Sequence, residues 1–341
     1  MESNSKYYFP AEWEAHNSVC LAWPHLKNEW GPYYEGAERE FVDLVNNIAL
    51  QDNKLNETVH VLVNNDETFQ KAQGAFKNEA ILIHNIPYGD IWLRDTGSIW
   101  TWDMENKTPQ AQAFIFNGWG NKYLYESDPE LSQSLPKHLK YSFKKWNWVL
   151  EGGSLDVNGK GICLTTEQCL LNPNRNPGLN RQQIEALLKE SLGLNKIIWL
   201  KDGLENDHTD GHIDTLARFS SENEVLCMVP KEKDDPNTVS LLKIRDDLKN
   251  AGFKVREVPS PGKVYNDEDQ LLPASYMNFY ISNKAVIVPV YGSVWDNEAV
   301  HEISKAFPER KTIGLMAKSI LSGGGAFHCI TQQIPDFSRI L

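Results

Sequence analysis

Residues 161–200 read GICLTTEQCLLNPNRNPGLNRQQIEALLKESLGLNKIIWL. The stretch opens on one short β-type run, GICLTT, and closes on another, KIIWL. Between them Ile184, Leu187 and Leu188 share one face of a helical pattern. Asn180 stands where a helix start needs a side-chain acceptor, and Gly193 where a helix end favours a left-handed residue. The stretch therefore predicts strand, helix, strand. Similar runs recur outside it: SVCLAWP (18–24), VHVLVN (59–64), AILIHNI (80–86), EVLCMVP (224–230), FKVREVP (253–259) and AVIVPV (285–290). Two more helical faces are set by Phe41, Leu44, Val45 and Ile48 and by Leu241, Ile244 and Leu248, the latter bounded by Asn237 and Gly252. Strand pairs alternating with single helices fit neither strict βαβα winding nor an all-β sandwich. The expected fold class is mixed α/β with several small sheets, in one domain over residues 1–341, since no linker or low-complexity tract divides the chain.

With 341 residues, 41% of them hydrophobic, the chain has enough apolar content for a sizeable core. A net charge of -12 opposes binding to nucleic acid, whose phosphates it would repel. The apolar runs are strand-sized and far short of a membrane span. MESNSKYYFPAEWEAHN lacks the basic start and apolar stretch of a signal peptide, so a cytoplasmic location is expected. Five scattered cysteines, Cys20, Cys163, Cys169, Cys227 and Cys329, suit neither a disulfide framework nor a CxxC motif.

Polar chemistry concentrates in four places. ENDHTDGHIDTLARF (205–219) puts His208, Asp210, His212 and Asp214 on one face if it is extended; a solvated edge and a metal site are the alternatives. The absence of HExxH, CxxC or a second histidine cluster weighs against metal. In YGDIWLRDTGSIW (88–100), Asp95 is a carboxylate among aromatic residues, with Arg94 directed the other way if the stretch is extended. The bland alternative is a surface pair between the two. Glu151 in VLEGGSLDV (149–157) precedes two glycines that allow close approach of backbone and ligand, or form an ordinary turn. SGGGAFHCITQQIP (322–335) lacks the Lys-Ser/Thr of a phosphate loop and reads as a tight turn entering a strand. On such a strand His328 faces away from Cys329 and is a poor candidate for the base of that thiol, whereas His212 is free to be one.

The set PAEWEAHNSVCLAWP, IWLRDTG, FNGWG, LEGGSLDV, CLLNPNRNP, DGHID, SYMNFYI and GGGAFHCITQQIP, in order along nearly the whole chain, resembles the agmatine deiminase family, within the bacterial peptidylarginine-deiminase-type group of guanidine-modifying enzymes. The resemblance implies a five-bladed α/β propeller of ββαβ-like units with a central active site. It also implies Cys329 as nucleophile, His212 as general acid/base, and Asp95 and Asp214 as the carboxylates that grip a guanidinium. Glu151 and Asn278 would support the site, Trp92 and Trp119 would wall the pocket, and Asp210 and Gly325 would lie at the substrate. The implied partner is the small molecule agmatine, with no metal or organic cofactor and a homodimer as a compatible assembly. The chain departs from the family's habit at Ala326 and Phe327, where Asn-Ile is usual, and at Thr215, where Asn is frequent.

Overall fold

A computed structural model of the chain describes residues 5–51 and 54–340. Five small mixed sheets carry the fold, and each repeats one local plan: an antiparallel pair, then a helix, then a strand parallel to the second of the pair. The plan is plainest over residues 156–200. Asp156–Val157 pairs antiparallel with Ile162–Thr166, the helix Arg181–Leu192 follows, and Lys196–Leu200 returns parallel to Ile162–Thr166. The Asn180 side chain accepts from the Gln183 amide in a reciprocal capping box, and Gly193 ends the helix at φ 74°. Parallel return needs such a crossover, because a tight turn cannot reverse the strand direction twice.

The next two sheets follow suit. Ala217–Phe219, Glu224–Val229 and Lys254–Pro259 enclose the helix Thr238–Asn250; Tyr280–Ile281, Ala285–Val290 and Lys311–Met316 enclose Asp296–Ser304. Earlier in the chain, Ile99–Asp103, Thr108–Ile115 and Phe143–Val149 enclose Asp128–His138, with Tyr7–Tyr8 added at the edge. The remaining sheet joins the two ends of the chain. Gln332–Pro335 lies antiparallel to His16–Ala22, which is followed by the helix Tyr34–Ala49 and the parallel strands Thr58–Val63 and Ile81–Asn85.

All eight β-type runs read from the sequence are strands. Among the described strands of five or more residues, four fall outside these runs: Ile99–Asp103, Thr108–Ile115, Phe143–Val149 and Lys311–Met316. Phe143–Val149 carries two lysines and exposes three of its seven residues, so its apolar signal is diluted. Asn237 occupies an N-cap position without capping; its Oδ1 accepts from the Glu205 amide instead. Two local expectations are corrected. Residues 326–331 form turns and the strand begins only at Gln332, while residues 205–216 are not extended. Asp210 and Gly211 take φ of 65° and 84°, and Ile213–Thr215 is a single 3-10 turn. The side chains of residues 208–214 therefore do not share one strand face.

The segment that follows the last strand of each unit carries polar groups toward a common centre: Asp95 after Ile81–Asn85, Glu151 after Phe143–Val149, His212 and Asp214 after Lys196–Leu200, Asn278 after Lys254–Pro259, and Cys329 after Lys311–Met316. Phe327, fully buried, anchors the last of these segments in the main apolar core. Phe327→Ala is expected to cost about 3–5 kcal/mol, lowering the urea midpoint at an unchanged slope. A shift within experimental error would show that this anchor is dispensable.

Candidate active site

Cys329 is held from behind by Asn278. The Asn278 Oδ1 accepts from the backbone amides of Ala326, His328 and Cys329 at 3.1, 3.1 and 3.2 Å, and its Nδ2 donates to the Cys329 Sγ at 3.0 Å. One side chain thus fixes both the turn and the thiol. Gly325 is required for the approach of the turn: a Cβ there would meet Trp92 at 2.8 Å and the Cys329 Sγ at 3.0 Å. The glycines serve close packing.

Asp214 lies on the other side of the thiol. Its Oδ2 is 3.5 Å from the Cys329 Sγ and 2.7 Å from the His328 Nδ1, while its Oδ1 is buried with no hydrogen-bond partner. His328 does not face away from the chemistry as a strand would require, because the turn lets both neighbours reach Asp214. Its Nε2 is 2.8 Å from Glu12 Oε2, which also accepts from Arg218 at 2.6 Å. With a carboxylate oxygen against each ring nitrogen, the Asp214–His328–Glu12 chain must hold a proton in both gaps.

Asp95 sits in the single helical turn Leu93–Thr96, which sends Arg94 toward Glu12 and Asp95 the opposite way. Both are buried and make no surface pair. Asp95 accepts from the Gly153 amide and from the Trp119 Nε1, each at 2.9 Å. Trp119 is delivered by a left-handed backbone, φ 52°, that few non-glycine residues adopt, a conformation held by its surroundings at local cost.

His212 is fully buried between carboxylates. Its Nδ1 is 3.7 Å from Asp95 and its Nε2 3.8 Å from Glu151, within ion-pair reach and too long for hydrogen bonds. Gly153 packs where these groups converge. A Cβ on it would meet His212 Nδ1 at 2.6 Å, Asp95 Oδ1 at 2.9 Å and Asp214 Oδ2 at 3.1 Å. Glu151 is also bound by Arg175 at 2.6 Å and lies 3.9 Å from the Cys169 thiol. Glu151, Cys169 and His212 present donor atoms within 4.8 Å of one another, a set able to hold a zinc-like ion. Asp210 is committed to Lys122, Asn174 and Arg175 at 2.7, 3.0 and 2.6 Å. His208 lines the cavity rather than joining His212.

Burial disfavours charge on every one of these groups, and their neighbours decide the outcome. Burial raises the Cys329 thiol well above its ordinary range, and the Asp214 and Asp95 carboxylates push it further up. Burial likewise raises Asp95. For His212 burial acts downward, but Asp95 and then Cys169 and Glu151 outweigh it and hold the imidazole well above its usual value. Asp214 and Glu151 end low, since the hydrogen bond from His328 in one case, and His212 with Arg175 in the other, overcome burial.

The Cys329 Sγ and Asp95 open onto a cavity of about 430 Å³. Trp92, Trp119 and Trp30 wall it, Trp30 and Trp92 stacking at 6.0 Å with Asp90 accepting from both indoles. Glu29, Asp90, Asp95 and Glu268 contribute carboxylates, and no lysine or arginine is among the described lining residues. Ala326 and Phe327, where the sequence leaves the family's habit, do not line it. Glu12, His328, Arg175 and Cys169 had not been singled out as site residues. The turn at 326–331, which no apolar period announces, brings His328 in.

Comparison with known proteins places the chain in a family. Residues 8–335 match the Porphyromonas-type peptidyl-arginine deiminase family. The C. jejuni agmatine deiminase with substrate bound, as a Cys-to-Ser variant, is 34% identical, with a TM-score of 0.90 over 98% of this chain and 97% of its own. An agmatine deiminase of Enterococcus faecalis, described as catalysing its reaction, is 27% identical with a TM-score of 0.89, covering 98% of each chain. DDAH from Pseudomonas aeruginosa, at 13% identity and a TM-score of 0.53, shares the fold alone. Given a family match over almost all of its length and a relative at 34% identity, the chain belongs to the Porphyromonas-type peptidyl-arginine deiminases, a family of guanidino-group-modifying hydrolases.

Proposed function

We propose that this protein is an agmatine deiminase, hydrolysing agmatine to N-carbamoylputrescine and ammonia through an amidino-cysteine intermediate, and that residues 1–341 form one catalytic domain whose five sheets are the blades of an α/β propeller. The observation that carries the reading is Asp214, whose Oδ2 lies 3.5 Å from the Cys329 Sγ and whose buried Oδ1 has no hydrogen-bond partner, together with Asp95, which lines the cavity beside Cys329. A buried acceptor without a donor costs about 1–3 kcal/mol; the planar N–H groups of a guanidinium supply such donors and the matching positive charge.

In this mechanism Asp95 and Asp214 hold the guanidinium with its central carbon over the thiol. Neutralising both carboxylates removes the charges that keep the thiol protonated, so substrate binding releases the thiol proton and creates the nucleophile. The sulfur–carbon bond forms, the carbon–nitrogen bond breaks, and imidazolium His212 gives the leaving nitrogen its proton as ammonia departs. The now neutral His212 takes a proton from water, hydroxide adds to the amidino carbon, and the carbon–sulfur bond breaks with loss of a second proton to give the ureido product. Glu151 holds His212, Asn278 holds the turn, Gly325 and the two tryptophans shape the pocket, and Asp210 positions Arg175 against Glu151. The acidic, lysine-free and arginine-free lining favours a cationic tail over the carboxylate of free arginine.

Ammonia release from agmatine, arginine and an arginyl peptide tests the assignment. Agmatine is expected to be turned over best, Cys329→Ala to be inactive, and a chelator to be without effect. Activity that survives Cys329→Ala but is lost with the chelator would overturn the thiol mechanism in favour of a metal at Glu151, Cys169 and His212.

Two further outcomes follow from the geometry. Gly153→Ala should lower kcat by ~10²-fold or more, since its Cβ displaces three site groups at once; near-normal turnover would mean that the centre yields. The rate of iodoacetamide inactivation of Cys329 in the free enzyme should keep rising above the ordinary thiol pKa of about 8.5, because the folded thiol titrates higher. A plateau at neutral pH would show that the thiolate pre-exists.

A further inference from the structure

Three histidines from two units of the fold meet on the outer side, away from the cleft. His60 lies on Thr58–Val63, His84 on the parallel neighbour Ile81–Asn85, and His138 in the last turn of the helix Asp128–His138. His60 Nδ1 is 2.8 Å from His84 Nε2, and His84 Nδ1 is 3.2 Å from His138 Nε2. The rings of His60 and His84 are 4.9 Å apart, and that of His138 meets His84 edge-on at 5.2 Å. His60 and His84 are half-buried and His138 is exposed, so the cluster is open to solvent at one end. No step of the proposed reaction uses it.

We propose that His60 and His84 form a binding site for a divalent transition cation of tetragonal preference, Cu²⁺ or Ni²⁺, with His138 fixing the tautomer of His84. The spacing selects the metal class. With metal–nitrogen bonds of about 2.0–2.1 Å, two nitrogens at a right angle lie about 2.9 Å apart, whereas a tetrahedral angle separates them by about 3.3–3.4 Å. The His60–His84 separation of 2.8 Å matches the right-angled edge.

Proton placement is also satisfied. Ligation needs lone pairs at His60 Nδ1 and His84 Nε2, so His60 carries its proton on Nε2 and His84 on Nδ1. The His84 Nδ1–H then donates to the His138 Nε2, the outer hydrogen bond that metal-binding histidines commonly make. The proton positions that ligation needs are reached by tautomer shifts of the rings. Burial, with His84 and His138 adding to it, pulls His60 down to about 4. Burial, with His138, lowers His84 as well. An ion held here would tie the two strands together and, through His138, link them to a helix of the neighbouring unit.

The test is Ni²⁺ titration of the untagged full-length protein by calorimetry, with thermal unfolding alongside. Ni²⁺ avoids the thiol oxidation that Cu²⁺ brings, and all five cysteines are buried. Saturable binding at one site per chain is expected, lost in both His60→Gln and His84→Gln and weakened ~10-fold or more in His138→Ala. At hundredfold excess over Kd, wild-type Tm should rise by ~2 °C or more while that of His84→Gln stays put. Circular dichroism and ammonia release unchanged in the variants would show that the fold persists. Ni²⁺ binding that survives both glutamine variants, or no binding to the wild-type protein, overturns the site.

Discussion

The carboxylate of Glu12 is the constraint on which the centre of the molecule depends. Its Oε2 accepts from Arg218 at 2.6 Å, meets His328 at 2.8 Å and lies 3.9 Å from Arg94, while its Oε1 accepts from the Ile281 amide at 3.1 Å. A segment near the amino terminus thereby gathers groups from four other parts of the chain. Arg218 is in turn committed to Asp156 and to the carbonyls of Met277 and Phe279. Charges this deeply buried persist only when paired, and removing one partner of such a pair costs about 3–5 kcal/mol. Attraction from Arg218 and His328 overcomes burial and keeps Glu12 well below the usual carboxylate range. The carboxylate is therefore a fixed negative charge, and through His328 it governs where Asp214 can point.

Repetition of the fold explains how so many polar groups reach one place. Each unit ends on a parallel strand, and the chain must then cross to the next unit; those five connections supply Asp95, Glu151, His212 with Asp214, Asn278, and Cys329. The sheets themselves contribute apolar side chains to the cores. Scaffold and chemistry are thus separated along the sequence, which lets the connections adopt strained or left-handed backbone, as at Trp119, Asp210 and Gly211, without disturbing the ladders.

This separation also sets what a sequence can show. Strands such as Ala285–Val290 and helices such as Tyr34–Ala49 are legible because burial writes its period into the residues. The five connections have no such period. Reading residues 205–219 as extended brought His212 and Asp214 together for a reason the turn at Ile213–Thr215 does not support; they meet because both pack against Gly153. His328 was set aside on the same strand assumption, although the turn brings its Nδ1 to Asp214. Glu12 gave no local signal, because its partners lie far away in sequence at Arg94, Arg218, Ile281 and His328. Burial of an ion network is a property of distant pairs, and a single sequence read locally does not contain it.

The same electrostatics bears on the state of the Cys329 thiol. A buried thiol beside carboxylates is held as the neutral acid, and the Asn278 Nδ2 donates to its sulfur. Asp95 and Asp214, with Glu151 nearby, crowd negative charge around His212, which answers by remaining charged. In the proposed reaction a guanidinium would bring this centre a positive charge and a set of planar donors. A neutral or anionic molecule entering the cleft would leave the thiol protonated and the Asp214 Oδ1 unpaired. Discrimination would then be exerted at the reacting sulfur itself, before any group at the mouth of the cavity reads the rest of the substrate.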